Sequence, residues 1–298
     1  MLAEPAWTAR AAAHAARVEP YLRPHLARRE ARVKHPVHDF LFTYYSYRPA
    51  QLRRWHPGYG VALDGATAAA YVPLKGYAER AEDATVGVTE DFVRQRADLV
   101  DSIRELLVAT ERRPAQFGCF GLHEWAMVYH LGEDETRHHT YPLRLGTAGT
   151  DAVVDSHRIA CSHFDAFRFF TPDARPLNAL QPGHDDRPAF EQPGCLHAGM
   201  DLYKHAFRLS PMVGSDLVAD AFELAWEARN LDMRGAPYDV RDLGFEPIRI
   251  ETPEGRQEYA AEQRALADRA APLRRRLVEE CDRLLEVAAA DGAPVGLP

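Results

Sequence analysis

Five prolines, Pro172, Pro176, Pro182, Pro188 and Pro193, fall within residues 171–193. Each lacks an amide hydrogen and has a fixed φ, so this stretch can be neither a continuous helix nor a central strand. A loop of that length in a compact chain lines a site or covers one. On both sides the pattern turns helical. Residues 195–209 predict one helix, residues 215–231 a second with Ser215 as N-cap, and residues 253–290 a long terminal helix or helix pair with heptad-like Leu, Ala and Val positions. Upstream, residues 4–33 are rich in Ala, Arg, Leu and Glu, and Pro20 and Pro24 divide them into two expected helices. Thr89 opens another, with Glu90 and Asp91 in its first turn and Phe92, Leu99, Ile103, Leu106 and Leu107 on its apolar face. The expected class is mainly α or α+β: a compact helical scaffold with a minor β component and a long irregular middle that lines the site.

Shorter features fill the gaps. The aromatic run at 37–47 suits a buried helix or a strand, and the segment 50–55 ends at the turn His56-Pro57-Gly58-Tyr59-Gly60. Residues 61–77 read as short strands and loops, with Tyr71-Val72-Pro73-Leu74 as an edge strand, and residues 140–145 as another strand. The chain reads as one unit over 1–298: a basic helical part at 1–58, the site region at 118–210 and a helical part at 215–298. Glu4, Arg10 and His14 interrupt the alanine-rich start, and no run of about 18 apolar residues exists, so a cytoplasmic protein without a membrane partner is expected. Cys119, Cys161, Cys195 and Cys281 form no C-x-x-C pair, which favours reduced thiols over a thiolate zinc site. Net charge is −8, yet the eight basic residues between Arg23 and Arg54 face only Glu30 and Asp39, so that segment carries +6 and the remainder −14. A basic end on an acidic body suits phosphate contact on one face; a solvated helix face explains the charge equally well.

Nine of the 14 histidines, His123, His130, His138, His139, His157, His163, His184, His197 and His205, lie between 123 and 205. Within that span, spacing of four places His197, Asp201 and His205 on one helical face beside Lys204. Three interpretations compete: metal ligands, a catalytic Asp201 whose charge its neighbours set, or a packing network. In residues 155–170 an extended chain would align Asp155, His157, Cys161, His163 and Asp165, whereas a helix would scatter them. Either way, carboxylates and imidazoles sit beside Phe164 and Phe167, a mixture that can hold a planar ring. Glu124 is a further candidate base or an ordinary helix residue, and Asp232 with Arg234 suggests a loop tied by an ion pair.

No phosphate loop, dinucleotide turn, serine nucleophile elbow, H-E-x-x-H or deaminase P-C-x-x-C occurs, which makes kinases, simple dehydrogenases and serine hydrolases poor matches. Five phrases carry a resemblance over most of the chain: FLFTYYSYRPAQLRRWHPG at 40–58, DSHRIACSHFDAFRFF at 155–170, EQPGCLHAGMDLYKHAFRLSP at 191–211, LDMRGAPYD at 231–239 and IETPEGRQEY at 250–259. Together they resemble actinobacterial-type proteins labelled 3-methyladenine DNA glycosylase. The chain also looks similar to phage-defence DNA glycosylases acting on glucosylated hydroxymethylcytosine. The turn at 56–60 superficially matches a helix-hairpin-helix, although Asp64-Gly65 interrupts the helix that should follow, and the uracil-type motifs are missing.

The resemblance implies an enzyme that hydrolyses the N-glycosidic bond of a modified or damaged base in double-stranded DNA, leaving an abasic site without a cofactor or an obligate protein partner. Such an enzyme flips the base, which calls for phosphate contacts and stacking surfaces. Arg48, Arg53, Arg54, Trp55 and Lys204 are the expected DNA contacts. Asp201, Asp155 and Glu124 are the candidate catalytic carboxylates, since one is needed against the oxocarbenium character of the sugar. His157, His163, Phe164, Asn178, His197 and Tyr203 are the candidates to hold the base. Lys204 is also a candidate for a Schiff base with the sugar. The alternatives are a metal-dependent enzyme on a small molecule, with His157, His163, His197 and Asp201 as ligands, and a non-catalytic nucleic-acid-binding protein.

Overall fold

The computed structural model describes residues 1–136 and 140–290; His138 and His139 therefore lie outside the described residues. In chain order these form α1 (Glu4–Glu30), α2 (Phe40–Thr43), α3 (Pro49–Arg53), β1 (Tyr77–Glu79), β2 (Val86–Val88), α4 (Glu90–Arg94), α5 (Ala97–Glu111), α6 (Leu122–Ala126), α7 (Gly146–Asp155), α8 (Phe164–Phe167), α9 (Arg187–Phe190), α10 (Leu196–Leu209), α11 (Ser215–Gly235) and α12 (Pro253–Ala289). The fold is mainly α. Among the described residues one sheet forms, pairing β1 with β2 antiparallel, Tyr77 opposite Val88 and Glu79 opposite Val86. No helix among the described residues is long and apolar enough to cross a membrane.

The centre is a stack in which α10 packs on α11, α11 on α12, and α12 on α5. Leu196, Met200, Leu202, Tyr203 and Leu209 are all buried on α10, each stabilising the fold by about 1.5–3 kcal/mol relative to exposure. In α11 the small residues Ala219, Ala221, Ala225 and Ala228 are buried, which lets neighbouring helices approach closely while Phe222, Leu224 and Leu231 fill the space between. One continuous apolar cluster runs from Trp7 to Leu284.

Several expected boundaries shift. Residues 4–30 form one helix rather than two: Pro20 and Pro24 both face solvent, where water can bond the carbonyls they orphan, while Val18, Leu22 and His25 hold the opposite stripe in the core. Tyr71 ends a 3-10 turn (Ala66–Tyr71) instead of opening an edge strand. The 140–145 segment reaches only a single bridge, Leu143 to Tyr238, before the left-handed Gly146 (φ 63°) turns the chain into α7. Thr89 does cap a helix, its hydroxyl accepting from Phe92 N at 3.2 Å, but that helix ends at Arg94 and α5 starts afresh at Ala97. Gly214 is the N-cap of α11; Ser215 instead turns its Oγ to accept from His56 N at 2.7 Å. With the Ser215 N to His56 O and Tyr59 N to Met212 O bonds, this docks the 56–60 turn onto the start of α11. That turn is flanked by only one helix, α3, and so forms no helix-hairpin-helix. The 171–193 stretch is irregular, broken by a 3-10 turn (Arg175–Leu177) and by α9.

Candidate active site

α6 follows a tight turn, Cys119-Phe120-Gly121, in which Phe120 (φ 47°) and Gly121 (φ 75°) are both left-handed. A side chain at 121 would also press on Tyr259, whose hydroxyl lies 3.3 Å from where its Cβ would be. The turn brings Cys119 Sγ to 3.4 Å from His123 Nδ1. The other ring nitrogen, His123 Nε2, lies 2.9 Å from Asp232 Oδ1 on α11. Asp232 is itself held: its Oδ2 accepts from Arg229 Nη1 at 2.7 Å, and the same nitrogen reaches Glu124 Oε1 at 3.0 Å. The Arg229 guanidinium stacks 4.1 Å above the Phe40 ring.

Electrostatics separate two touching histidines. Burial opposes charge on His123, but Asp232 and then Cys119 outweigh it, so its pKa stands well above the usual imidazole value. Burial would raise Asp232 likewise, and the His123 charge instead holds it far below the usual carboxylate range. His197, from α10, meets His123 edge to face with ring centroids 4.6 Å apart. Burial, and next the His123 charge, push it down to about 3. At neutral pH one ring is thus an acid holding its proton and its neighbour a neutral base.

Both line a cavity of about 450 Å³. Its wall also carries Cys119, Ser162, Arg113 and Arg158, and, from α12, Tyr259 and Gln263. Burial and then Asp232 raise the Tyr259 phenol well above its usual value, so it keeps its proton. Its hydroxyl has no hydrogen-bond partner among the described residues, and Gln263 Oε1 is likewise unpartnered while its Nε2 donates to Gly194 O at 2.6 Å.

A second polar network lies behind this wall, around Asp201. Tyr45 OH donates to Asp201 Oδ1 at 3.0 Å; Arg187 Nη2 at 2.7 Å and Lys204 Nζ at 3.1 Å share Oδ2. Arg187 Nε continues to Glu191 at 2.6 Å, and Lys204 to Asp165 at 3.0 Å. His163 Nε2 stands 3.4 Å from Asp201 and 3.5 Å from Glu191. Burial raises the Asp201 pKa, but Lys204 and the neighbouring histidines more than reverse it, so it stays ionised.

The expected site residues divide accordingly. His197 alone of the base-holding candidates lines the cavity; His163 sits between the two networks, its ring centroid 5.4 Å from that of His197. Asp201 is not on the cavity wall, and both of its oxygens already accept hydrogen bonds. Glu124 faces Arg229 rather than the cavity. Asp155, at the exposed end of α7, accepts from Tyr129 OH at 2.7 Å. His157 is tied to Val153 O at 2.7 Å and to Arg256 at 3.0 Å, so the extended alignment of 155–165 does not form. Asn178 is structural, bonding Cys161 N, Cys161 O and Leu180 O. Phe164 packs on His184, and Tyr203 is buried within the aromatic core. His205, also buried, is pushed to about 3 by desolvation.

The DNA-contact candidates fare differently from expectation. Trp55 is 4% exposed and offers no stacking surface. Tyr45 and Tyr47 turn inward, bonded to Asp201 and to Lys204 O. Arg53 pairs with Glu19, whereas Arg48 and Arg54 are exposed. Lys204 is ion-paired inside; burial lowers its pKa, but Asp201 outweighs this, so it remains an ammonium and a poor Schiff-base nucleophile. Asp232 and Arg234 form no mutual pair: they end α11, and Arg234 bonds Glu258 and Glu262.

Two groups converge closely enough for a cation, His123 with His197 and Asp232, and His163 with Glu191 and Asp201. In each, a guanidinium already sits 2.7 Å from the aspartate and offsets the charge that would attract a cation. The set His157, His163, His197 and Asp201 does not assemble. No family model, no curated protein and no solved structure matches the chain.

Proposed function

We propose that this chain is a hydrolase of N-glycosidic bonds that acts on an altered base in DNA, taking the flipped base into the cavity beside His123, His197 and Tyr259. The observation that carries this proposal is the pair of touching imidazoles at the cavity wall, one held charged by Asp232 and the other held neutral. Breaking the C1′–N bond leaves an electron pair on the departing base. The His123 imidazolium supplies the proton that stabilises it, and Tyr259 offers a second donor. The His197 lone pair accepts a proton from the attacking water. General acid–base assistance of this type contributes about 10²–10⁴ in rate.

No carboxylate lines the cavity among the described residues. Leaving-group protonation, rather than a carboxylate set against the oxocarbenium ion, is then the main device. Arg113 and Arg158, on the same wall, are the cations closest to where flanking phosphates must pass. A volume of about 450 Å³ lies in the range of pockets that enclose whole small molecules. It suits an alkylated purine and also a cytosine bearing an appended sugar. Duplexes carrying each base, incubated with the protein and then treated with alkali, are expected to break at the altered position in at least one case. Intact strands throughout would overturn the proposal.

A further inference from the structure

The cavity wall holds one group that base excision does not use. Cys119 stands 3.4 Å from His123 Nδ1, His123 Nε2 stands 2.9 Å from Asp232, and Asp232 is fixed in turn by Arg229 at 2.7 Å. This is a nucleophile, a base and an orienting carboxylate in line, the arrangement that activates a thiol. Two further observations make it a site rather than a lone cysteine. Cys119 opens onto the 450 Å³ cavity, so a ligand can reach the sulfur. Tyr259, 1% exposed, brings its hydroxyl against the same turn, beside Gly121, where it can donate to an oxyanion forming next to Cys119. The backbone is shaped for this approach: the left-handed Phe120 and Gly121 fold Cys119 back over α6.

We infer that Cys119, His123 and Asp232 form a thiol acyl-transfer site whose substrate is an amide or ester small enough to enter the cavity. The thiolate sulfur attacks the carbonyl carbon, and Tyr259 bonds the oxyanion. As the S–C bond replaces the C–N or C–O bond, the leaving amine or alcohol takes the proton of the His123 imidazolium. Water then attacks the thioester, His123 accepts its proton, and the acid departs as the thiolate is restored. No oxidant or second reactant beyond water is needed. The inference does not depend on base excision, because its readout is covalent mass on one sulfur.

Cys195 provides the internal control. It lines the same cavity and is also partly exposed, but burial pushes its thiol up to about 12. The test is to treat the full chain with limiting iodoacetamide between pH 5.5 and 8.5, and separately with p-nitrophenyl acetate, then map the modified peptides by mass. Cys119 is expected to alkylate at least about tenfold faster than Cys195 at pH 7 and to carry a single acetyl group. His123→Gln should slow Cys119 toward the rate of Cys195. Equal rates and parallel pH profiles for the two cysteines in the wild-type chain, or acetyl on Cys195 instead, would overturn the inference, and neither outcome depends on a variant folding.

Discussion

Asp201 and Asp232 are both buried aspartates beside a histidine and an arginine, yet they sit in opposite circumstances. Asp201 is closed in: a tyrosine, an arginine, a lysine and a histidine surround it, and it has no face on the cavity. Asp232 is equally buried, but its charge is relayed outward, because the imidazole it holds forms part of the cavity wall. Burial and charge alone therefore do not mark a reacting group. What distinguishes the Asp232 network is a proton donor with an open side, next to a neutral ring that can receive. The Asp201 network joins α10 to the 187–191 and 163–168 segments, and so ties the proline-rich stretch to the helical stack.

The contrast can be broken at several points. Asp201→Ala leaves Arg187 and Lys204 as buried cations without their shared partner, and should cost about 3–5 kcal/mol of stability, read by urea denaturation. A loss below about 1 kcal/mol would mean that the network is solvated in solution. On the open side, Asn178→Ala removes three hydrogen bonds that brace Cys161 and Leu180, both on the cavity wall. About 1–3 kcal/mol is expected, with faster amide exchange at Cys161.

The histidines give a pH signature. His205 has a folded value of about 3 against an ordinary value of 6.5. Between those limits the unfolded chain binds a proton that the folded chain does not. Stability therefore falls as pH drops from 6.5 toward 3, by about 1.4 kcal/mol per pH unit. His205→Asn should remove that much slope between pH 6 and 4; an unchanged slope would show His205 already protonated in the fold. The smallest effect concerns the basic segment. Arg53→Ala should cost less than about 1 kcal/mol, since its pair with Glu19 is exposed, and should leave DNA affinity unchanged. Arg158→Ala should weaken DNA binding and lower the salt slope by about one. A larger loss from Arg53→Ala would return the DNA to the N-terminal part.

Local signals carried much of this architecture. The helix at 196–209, the Thr89 cap and the irregular 171–193 stretch follow from periodicity and turn residues, and the helical class with them. The limits of such signals are equally specific. Pro20 and Pro24 look like helix ends until their solvent-facing side is known. Four-residue spacing places His197, Asp201 and His205 on one face, yet His197 joins His123 at the cavity while Asp201 pairs with Lys204, and spacing cannot say that Tyr45 and Arg187 will close over Asp201. The His123–Asp232 bond joins residues 109 positions apart, and Tyr259 and Gln263 read as ordinary positions of a long helix. The nearest local clue was Cys119 four residues before His123, with Gly121 between them. Trp55, an expected DNA contact, lies in the core for a related reason: an amphipathic ring satisfies a core as readily as a surface.

The proposed reaction puts the chemistry at His123 and not at Asp201. Its most direct test is single-turnover base release from one responsive duplex by His123→Gln and Asp201→Asn side by side, each normalised to its folded fraction. A loss of about 10²–10⁴ is expected for His123→Gln and a rate within about threefold of wild type for Asp201→Asn. The reverse order, with Asp201→Asn inactive and His123→Gln near wild type, would contradict it.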